Sequence, residues 1–284
     1  MSGLRRGRTL CIALCAIAWA GSGPFVVSAL DSGSIQRPER PTIDAAALYL
    51  VDLKSGRVLL EKNATRRLPP ASLTKIMTAL VALESTTTEQ VVKVDRRALV
   101  HRSSLRLRAG EQFLLRDLVT AMLVTSANDA CEAIAWHVGR GADQFVTMMN
   151  ERARSLGLDN THFSNACGFD APDHYSTAAD LAKLTEQALQ VPTISMMVRT
   201  VIRDIASVDD KRRVSLRSTN ELLLDPDVTG VKTGYTSKAG RCLIASMFKD
   251  GHRLLLVGLN VMDRWEQATK LLRYGQAVLR DGTG

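Results

Sequence analysis

Segments with the pattern of β-strands lie at both ends of this 284-residue chain, and segments with the pattern of α-helices lie between them. Because a strand needs a hydrogen-bonded neighbour, we expect the N-terminal strands to pair with the C-terminal ones in an antiparallel sheet. The predicted fold class is therefore α+β. The segments that predict strands of this sheet are residues 45–52, 58–61, 228–235, 242–248 and 253–259.

The same patterns predict one domain, residues 45–284, with no internal repeat and no second-domain boundary. Its sheet parts are residues 45–65 and 210–284, with a further strand at 214–217, and its helical part covers about residues 70–190. Residues 193–205 are ambiguous. Apolar residues at helical spacing predict the helices 72–84, 115–123, 129–137, 143–156, 178–190 and 264–279.

The N-terminus has the pattern of a secretory signal, in which three arginines precede an apolar stretch and small residues. We expect cleavage after Ala29, so that residues 1–29 are a signal peptide and residues 30–44 a polar leader; an uncleaved anchor is the alternative. Cleavage removes three arginines and no acidic residue, which lowers the formal net charge from +8 to +5. No basic run is interleaved with aromatic residues, so we expect no nucleic-acid partner.

Three cysteines remain after the predicted cleavage: Cys131, Cys167 and Cys242. Three cysteines cannot all pair with one another, so at least one stays a thiol. Neither these cysteines nor the histidines show the spacing of a metal site. We therefore expect no metal and no dependence on a disulfide.

The sequence Ser72-Leu73-Thr74-Lys75 follows Pro69 and Pro70 and opens a run of apolar residues at helical spacing. Ser72 is thus expected at a helix N-terminus, where unpaired N–H groups favour a developing oxyanion. Lys75 lies about one turn further on the same face, and a buried lysine with a lowered pKa activates a serine as a nucleophile. The alternative is a serine cap followed by a solvent-facing lysine, and Ser246–Lys249 matches the same spacing.

Two further short motifs follow in order. Ser126-Ala127-Asn128 lies between two predicted helices, where such residues favour a break or cap. Lys232-Thr233-Gly234 lies on a predicted strand, and its glycine permits a ligand to approach the backbone closely. Residues 218–220 also match the Ser-x-Asn pattern, but only the three motifs at 72, 126 and 232 occur where their chemistry needs them.

Residues 71–78, 126–130, 174–178 and 232–236 resemble the motifs of the penicillin-binding proteins, and in particular those of the low-molecular-weight D-alanyl-D-alanine carboxypeptidases. The resemblance extends from about Ala45 to Leu272. It implies a β-lactamase or transpeptidase-like fold, in which an antiparallel sheet with flanking helices adjoins a helical subdomain. It also implies peptidoglycan stem peptides as substrates, β-lactam antibiotics as covalent inhibitors, and no cofactor.

The resemblance implies a role for each residue of the motifs. Ser72 attacks the carbonyl between two D-alanines, Lys75 accepts its proton, and Ser126 passes a proton to the departing amine. The backbone N–H groups of Ser72 and Tyr235 form the oxyanion hole. The substrate-binding residues that the resemblance implies are Asn128, Lys232, Thr233, Gly234, Tyr235 and Arg264.

Several alternatives stay open at the level of sequence. Arg264 fits a carboxylate-binding arginine and equally the first turn of a solvated helix, whereas His174 is expected to be structural. A D,D-endopeptidase would use the same residues, and a β-lactamase would need a deacylating carboxylate, for which no Glu-x-x-Leu-Asn motif is present. A catalytically silent wall-binding module is the fourth possibility. Many relatives add a second domain and a membrane-binding helix; this chain shows neither, so we expect a periplasmic or wall-associated protein without a stable membrane anchor.

Overall fold

The computed structural model describes residues 38–282, so the predicted signal peptide and residues 30–37 of the predicted leader lie outside the described residues. Strands and helices follow the order that the sequence predicted, with a helical middle between two strand-rich ends. The strands and helices are β1 (Ala45–Asp52), β2 (Arg57–Lys62), α1 (Lys75–Ser85), β3 (Val91–Lys93), β4 (Gln112–Leu114), α2 (Leu115–Val124), α3 (Asn128–Val138), α4 (Ala142–Ser155), α5 (Ala178–Leu189), α6 (Pro192–Met197), β5 (Ile202–Ala206), β6 (Arg213–Arg217), β7 (Val228–Thr236), β8 (Gly240–Lys249), β9 (His252–Val261) and α7 (Arg264–Arg280).

A five-stranded antiparallel sheet joins the two ends of the domain in the order β2-β1-β9-β8-β7. The pairing of β1 with β9 runs from Ala45 opposite Val261 to Asp52 opposite Leu254, which confirms that the first hairpin joins the late sheet. Strand β7 pairs with β8 and forms one edge of this sheet. That edge strand carries the Lys232–Gly234 motif.

The sheet is covered by helices on both faces, which explains why its central strands are apolar almost throughout. Alternate residues of β9 belong to different cores, as the two-residue period of a strand requires. Leu255 and Val257 belong to the core that includes α1 and α5, whereas Leu254 and Leu256 pack with α7. Helix α1 is buried along its first eight residues, so it forms the centre of the helical part. Within residues 38–282, no helix combines the length and the apolar character that a membrane crossing needs.

The segment between α5 and β7 differs from the prediction in detail. Residues 213–217 form a strand, as expected, but this strand pairs with β5 in a separate two-stranded sheet rather than with the main one. The ambiguous residues 193–205 divide between α6 and β5. Residues Glu221–Leu224 form a short 3-10 helix capped by the side chain of Asn220. Strand pairing is decided by a partner distant in sequence, so the local pattern indicated the strand but not its sheet.

A disulfide joins Cys131 of α3 to Cys167 in the loop before α5, with the two Cα atoms 5.9 Å apart. The sequence left the pairing open and required only that at least one of the three cysteines stays a thiol, which the structure confirms. The third, Cys242, is a buried thiol. The two partners are 36 positions apart, and their spacing along the chain contains no signal of their proximity.

Replacing both partners (Cys131→Ala with Cys167→Ala) should lower the free energy of unfolding by about 2–4 kcal/mol, because the unfolded chain loses a cross-link. Denaturant unfolding of the oxidised proteins measures the difference. A reducing agent should destabilise the wild type by a similar amount and leave the double variant unchanged, since both keep buried Cys242. A wild type that is indifferent to reduction contradicts this prediction.

Candidate active site

The candidate nucleophile, Ser72, lies in a short 3-10 helix, Ala71–Thr74, that leads directly into α1. The predicted helix start is thus present, preceded by this tighter turn. Ala71 has a left-handed backbone with φ of +50°, a conformation that costs a residue with a side chain about 1 kcal/mol or more. The hydroxyl of Thr74 donates to the carbonyl of Ala71 at 2.9 Å and closes the turn.

Lys75 is fully buried, and its Nζ has three partners. It lies 3.0 Å from Oγ of Ser72, and it donates to Oδ1 of Asn128 at 2.8 Å and to the carbonyl of Cys167 at 2.6 Å. Burial, followed by the charge of Lys232, holds the pKa of Lys75 well below its ordinary value. The two carbonyl oxygens only accept, so they take both N–H groups of a neutral amine and leave its lone pair facing Ser72.

The loop at residues 163–169 packs directly against the 3-10 turn Ala71–Thr74, which is called the nucleophile turn below because it contains the candidate nucleophile Ser72. A Cβ atom at Gly168 would lie 1.9 Å from the carbonyl oxygen of Ala71 and 2.9 Å from the nitrogen of Ser72. Oδ1 of Asn165 accepts from the N–H groups of Cys167, Gly168 and Phe169 at 2.8–3.2 Å. These three hydrogen bonds fix the conformation of the loop, so that the carbonyl of Cys167 points towards Lys75. Sequence reasoning missed these residues, because their role depends on a contact with a turn about 95 positions earlier.

Ser126 lies in the connection between α2 and α3, half-exposed and with φ of +63°. Asn128, the first residue of α3, is oriented by donating from Nδ2 to the carbonyl of Arg102 at 2.8 Å, so that its Oδ1 faces Lys75. The expected break between two helices is confirmed. Asn128 follows directly after this connection and joins it to Lys75.

Asp129 holds the loop at residues 102–107 over the start of α3. Its buried carboxylate accepts from the N–H groups of Leu105 and Leu107 and from the hydroxyl of Ser104, at 2.7–3.0 Å. The sequence indicated only an acidic residue in a first helical turn, where it favours the helix dipole. Its role as the anchor of a distant loop was missed.

A second missed carboxyl is Glu132, one turn beyond Asn128. Burial raises the pKa of Glu132, and the charge of Lys75 lowers it to a smaller degree. The carboxyl therefore lies within electrostatic reach of Lys75. Nothing in the sequence distinguished this residue from an ordinary helix glutamate.

The third motif lies on the edge strand β7 and faces the nucleophile turn. A Cβ atom at Gly234 would lie 3.0 Å from the nitrogen of Ser72, a contact so tight that a side chain at this position would press on the turn that carries Ser72. Lys232 is 1% exposed, and its Nζ donates to the carbonyl of Thr233 at 2.9 Å. Burial, with a smaller contribution from the charge of Arg264, lowers the pKa of Lys232 to about 7.

The remaining predicted residues lie along the same strand end. Arg264, the first residue of α7, is half-buried and donates from Nη1 to the carbonyl of Gly234 at 3.3 Å. Tyr235 follows directly and is 67% exposed. The side chain of Thr233 is buried and lies 2.7 Å, oxygen to oxygen, from that of Thr219. The structure thus brings Arg264 to the strand that carries Lys232, and this contact distinguishes it from a wholly solvated arginine.

His174 stabilises the nucleophile turn through a hydrogen bond to Thr74. It is buried, and its Nδ1 accepts from the N–H of Ser164 at 3.0 Å, so Nε2 carries the proton and donates to Thr74 at 2.8 Å. Burial lowers the pKa of His174 to about 4. A neutral histidine with both nitrogens engaged agrees with the structural role that the sequence favoured.

The second Ser-x-x-Lys sequence is on strand β8 and is not part of this arrangement. Ser246 is buried and accepts from the hydroxyl of Thr229 at 3.0 Å. Lys249 at the strand end pairs with Asp227. Both residues lie on a strand, whereas Ser72 and Lys75 lie at the start of a helix. This second Ser-x-x-Lys sequence therefore does not bring its lysine and serine together on one helical face.

Substituting Gly168→Ala should slow acylation of the protein by a fluorescent penicillin at least about tenfold, because the new Cβ displaces the nucleophile turn. Gly110→Ala is the matched control: Gly110 has φ of +87°, as Gly168 has +84°, but has no atom within 4 Å of a Cβ. Both variants place an alanine at nearly the same left-handed φ, so stopped-flow labelling rates separate the clash from the cost of that φ. Equal rates in the two variants would contradict this account of the loop.

Comparison with known proteins agrees with this geometry. The family described as D-alanyl-D-alanine carboxypeptidase (peptidase S11) matches residues 34–263. The carboxypeptidase DacD of Salmonella typhimurium is 37% identical over 257 residues, covering 84% of this chain and 64% of that protein. A D-alanyl-D-alanine endopeptidase of Pseudomonas aeruginosa is 29% identical, covering 87% of this chain and 82% of that protein.

The solved structures agree as well. The crystal structure of the Streptomyces K15 DD-transpeptidase matches with a TM-score of 0.79 and 29% identity, covering 84% of this chain and 99% of that one. The predicted transpeptidase-like fold is therefore confirmed. The chain spans about two thirds of the length of the carboxypeptidases that it matches. It belongs to the D-alanyl-D-alanine carboxypeptidase family of serine peptidases.

Proposed function

We propose that this protein is a serine-type D-alanyl-D-alanine carboxypeptidase, which removes the terminal D-alanine from peptidoglycan stem pentapeptides through an acyl-enzyme on Ser72. One observation supports this above all: Nζ of Lys75 lies 3.0 Å from Oγ of Ser72 while its other two partners are carbonyl oxygens. This set of partners suits a neutral amine, which is the form that accepts a proton.

Acylation begins when the hydroxyl proton of Ser72 passes to Lys75 and Oγ attacks the carbonyl carbon of the penultimate D-alanine. The negative charge that develops on the carbonyl oxygen is stabilised by the N–H groups of Ser72 and Tyr235. The C–N bond then breaks, and Ser126 passes its proton to the departing D-alanine amine while it takes up the proton that Lys75 had accepted from Ser72. Water hydrolyses the resulting ester and regenerates Ser72.

Substrate binding depends on the edge of the sheet and on the cations beside it. Strand β7 has an unpaired edge to which an extended peptide adds as a further strand, and Asn128 holds that peptide from the opposite side. Lys232 and Arg264 attract the terminal carboxylate, Thr233 hydrogen-bonds it, and Gly234 leaves room for it. The same groups accept the carboxylate of a β-lactam, whose strained amide acylates Ser72.

The alternative activity is D,D-endopeptidase cleavage of peptidoglycan cross-links, which uses the same catalytic residues. It is supported by the endopeptidase of Pseudomonas aeruginosa, of which this chain covers a larger share than of the carboxypeptidases. Cross-linked muropeptide dimers offered beside pentapeptides separate the two activities. Because both substrates belong to the bacterial wall, we place the protein outside the cytoplasmic membrane, in agreement with the signal pattern at its N-terminus.

The protein should release D-alanine from a peptide that ends in D-Ala-D-Ala, and Ser72→Ala should reduce this release at least about a thousandfold, since it removes the nucleophile. The same variant should lose covalent labelling by fluorescent penicillin. Ser246→Ala is the matched control, because it removes the serine of the other Ser-x-x-Lys sequence and should keep both activities. Release of D-alanine by folded Ser72→Ala would overturn the proposal.

The pH dependence of kcat/KM should be bell-shaped. Activity rises with pH as Lys75 loses its proton, and it falls above about pH 7 as Lys232 loses the charge that attracts the carboxylate. In Lys232→Arg the charge persists, so the alkaline limb should move up by more than about one pH unit. A wild-type alkaline limb above pH 9 would contradict the assignment to Lys232, whether or not the variant folds.

A further inference from the structure

The Ser-x-Asn sequence at residues 218–220, which the proposed mechanism does not use, lies between the two motifs that form the walls of the site. The N–H of Thr219 donates to the carbonyl of Val124, two residues before Ser126, at 3.1 Å. The side chain of Thr219 reaches the opposite wall, where its Oγ1 lies 2.7 Å from Oγ1 of Thr233. One residue thus bridges the connection that carries Ser126 and the strand that carries Lys232.

Both flanks of Thr219 are fixed by hydrogen bonds. The N–H of Ser218 donates to the carbonyl of Val201 at 2.8 Å. The buried side chain of Asn220 accepts from the N–H of Leu222 at 3.2 Å and caps the short helix that follows. Thr219 itself is exposed, whereas Thr233 is buried. Its hydroxyl is therefore held in place by its backbone neighbours and approaches Thr233 from the solvent side of β7.

Each hydroxyl has one proton to donate, and this limits what the pair does. If Thr219 donates to Oγ1 of Thr233, the proton of Thr233 is left for an outside acceptor, and the donated bond polarises it. Among the described residues, Thr219 is the partner that the structure gives to the Thr233 hydroxyl. The buried ammonium of Lys232, next in sequence, favours an acceptor that carries negative charge.

We propose that Thr219 is a positioning residue that makes the site selective for substrates ending in a free carboxylate, because it orients the Thr233 hydroxyl towards that carboxylate. The inference rests on the proposed function, in which Thr233 bonds the terminal carboxylate. The positive charges of Lys232 and Arg264 attract a negatively charged group, but this attraction does not fix the position at which the group binds. The paired hydroxyls of Thr219 and Thr233 fix the position of the carboxylate to within the length of a hydrogen bond.

The test compares two substrates in three variants. Thr219→Val preserves the shape and removes the hydroxyl, Thr219→Ser keeps the hydroxyl, and Thr147→Val changes an exposed threonine of α4 outside the site. Each is assayed with a peptide ending in D-Ala-D-Ala and with the same peptide as its C-terminal amide. Acylation by benzylpenicillin and by its methyl ester repeats the comparison without a departing amine, and the thermal midpoint reports folding.

Thr219→Val should lower kcat/KM for the carboxylate peptide about tenfold and change that for the amide less than about twofold, since a bond to a charged group is lost in one case only. Thr219→Ser and Thr147→Val should keep the wild-type ratio. If Thr219→Val loses kcat/KM equally for both peptides, or for neither, the role of Thr219 is overturned while the proposed function stands. A wild type that releases nothing from either peptide and is not acylated overturns the proposed function and this inference with it.

Discussion

The burial of one amine is the constraint on which the rest of this structure depends. An ammonium group is strongly stabilised by water, so placing Lys75 in the interior beside a second buried lysine disfavours its charged form. The neutral amine then needs partners that accept two N–H bonds and leave its lone pair free. Asn128 and the carbonyl of Cys167 provide these, and they come from two different parts of the chain. The architecture of the helical part can be understood as the means of holding those two oxygens in place.

That arrangement is destabilising by itself, and the surrounding structure offsets it. Ala71 and Ser126 both have left-handed backbones, and two lysines are removed from water. The disulfide ties α3 to the loop that supplies the Cys167 carbonyl, and Asp129 ties α3 to the loop at residues 102–107. Cross-links are thus concentrated around the residues whose local conformations are least favourable. A site whose reacting groups are held before substrate binds avoids the loss of conformational entropy during the reaction.

The sequence and the structure agree most where the signal was local. Proline before an apolar helical run correctly located the start of the helix that follows Ser72, and the helix break at Ser126 was correct as well. The strand at residues 213–217 was recognised, but its assignment to the main sheet was wrong, since β5 pairs with it instead. Asn165, Gly168 and Thr219 were not recognised as site residues. Gly168 and Thr219 contact residues at least 14 positions away, and Asn165 acts by holding the loop that makes the first of these contacts, so nothing in the local sequence distinguishes them from ordinary loop residues.

The sequence by itself determined the chemical inventory of this protein: a serine and a lysine one helical turn apart, a polar helix break, and a cationic strand with a glycine. Helical and strand periodicities are local properties of the chain, and so is the spacing within each motif, which is why these features can be read without coordinates. Only the tertiary structure decided which Ser-x-x-Lys is buried, which cysteines pair, and which carbonyl faces Lys75. Those outcomes depend on packing between segments far apart in sequence, and the pKa of a lysine is set by that packing rather than by its neighbours along the chain.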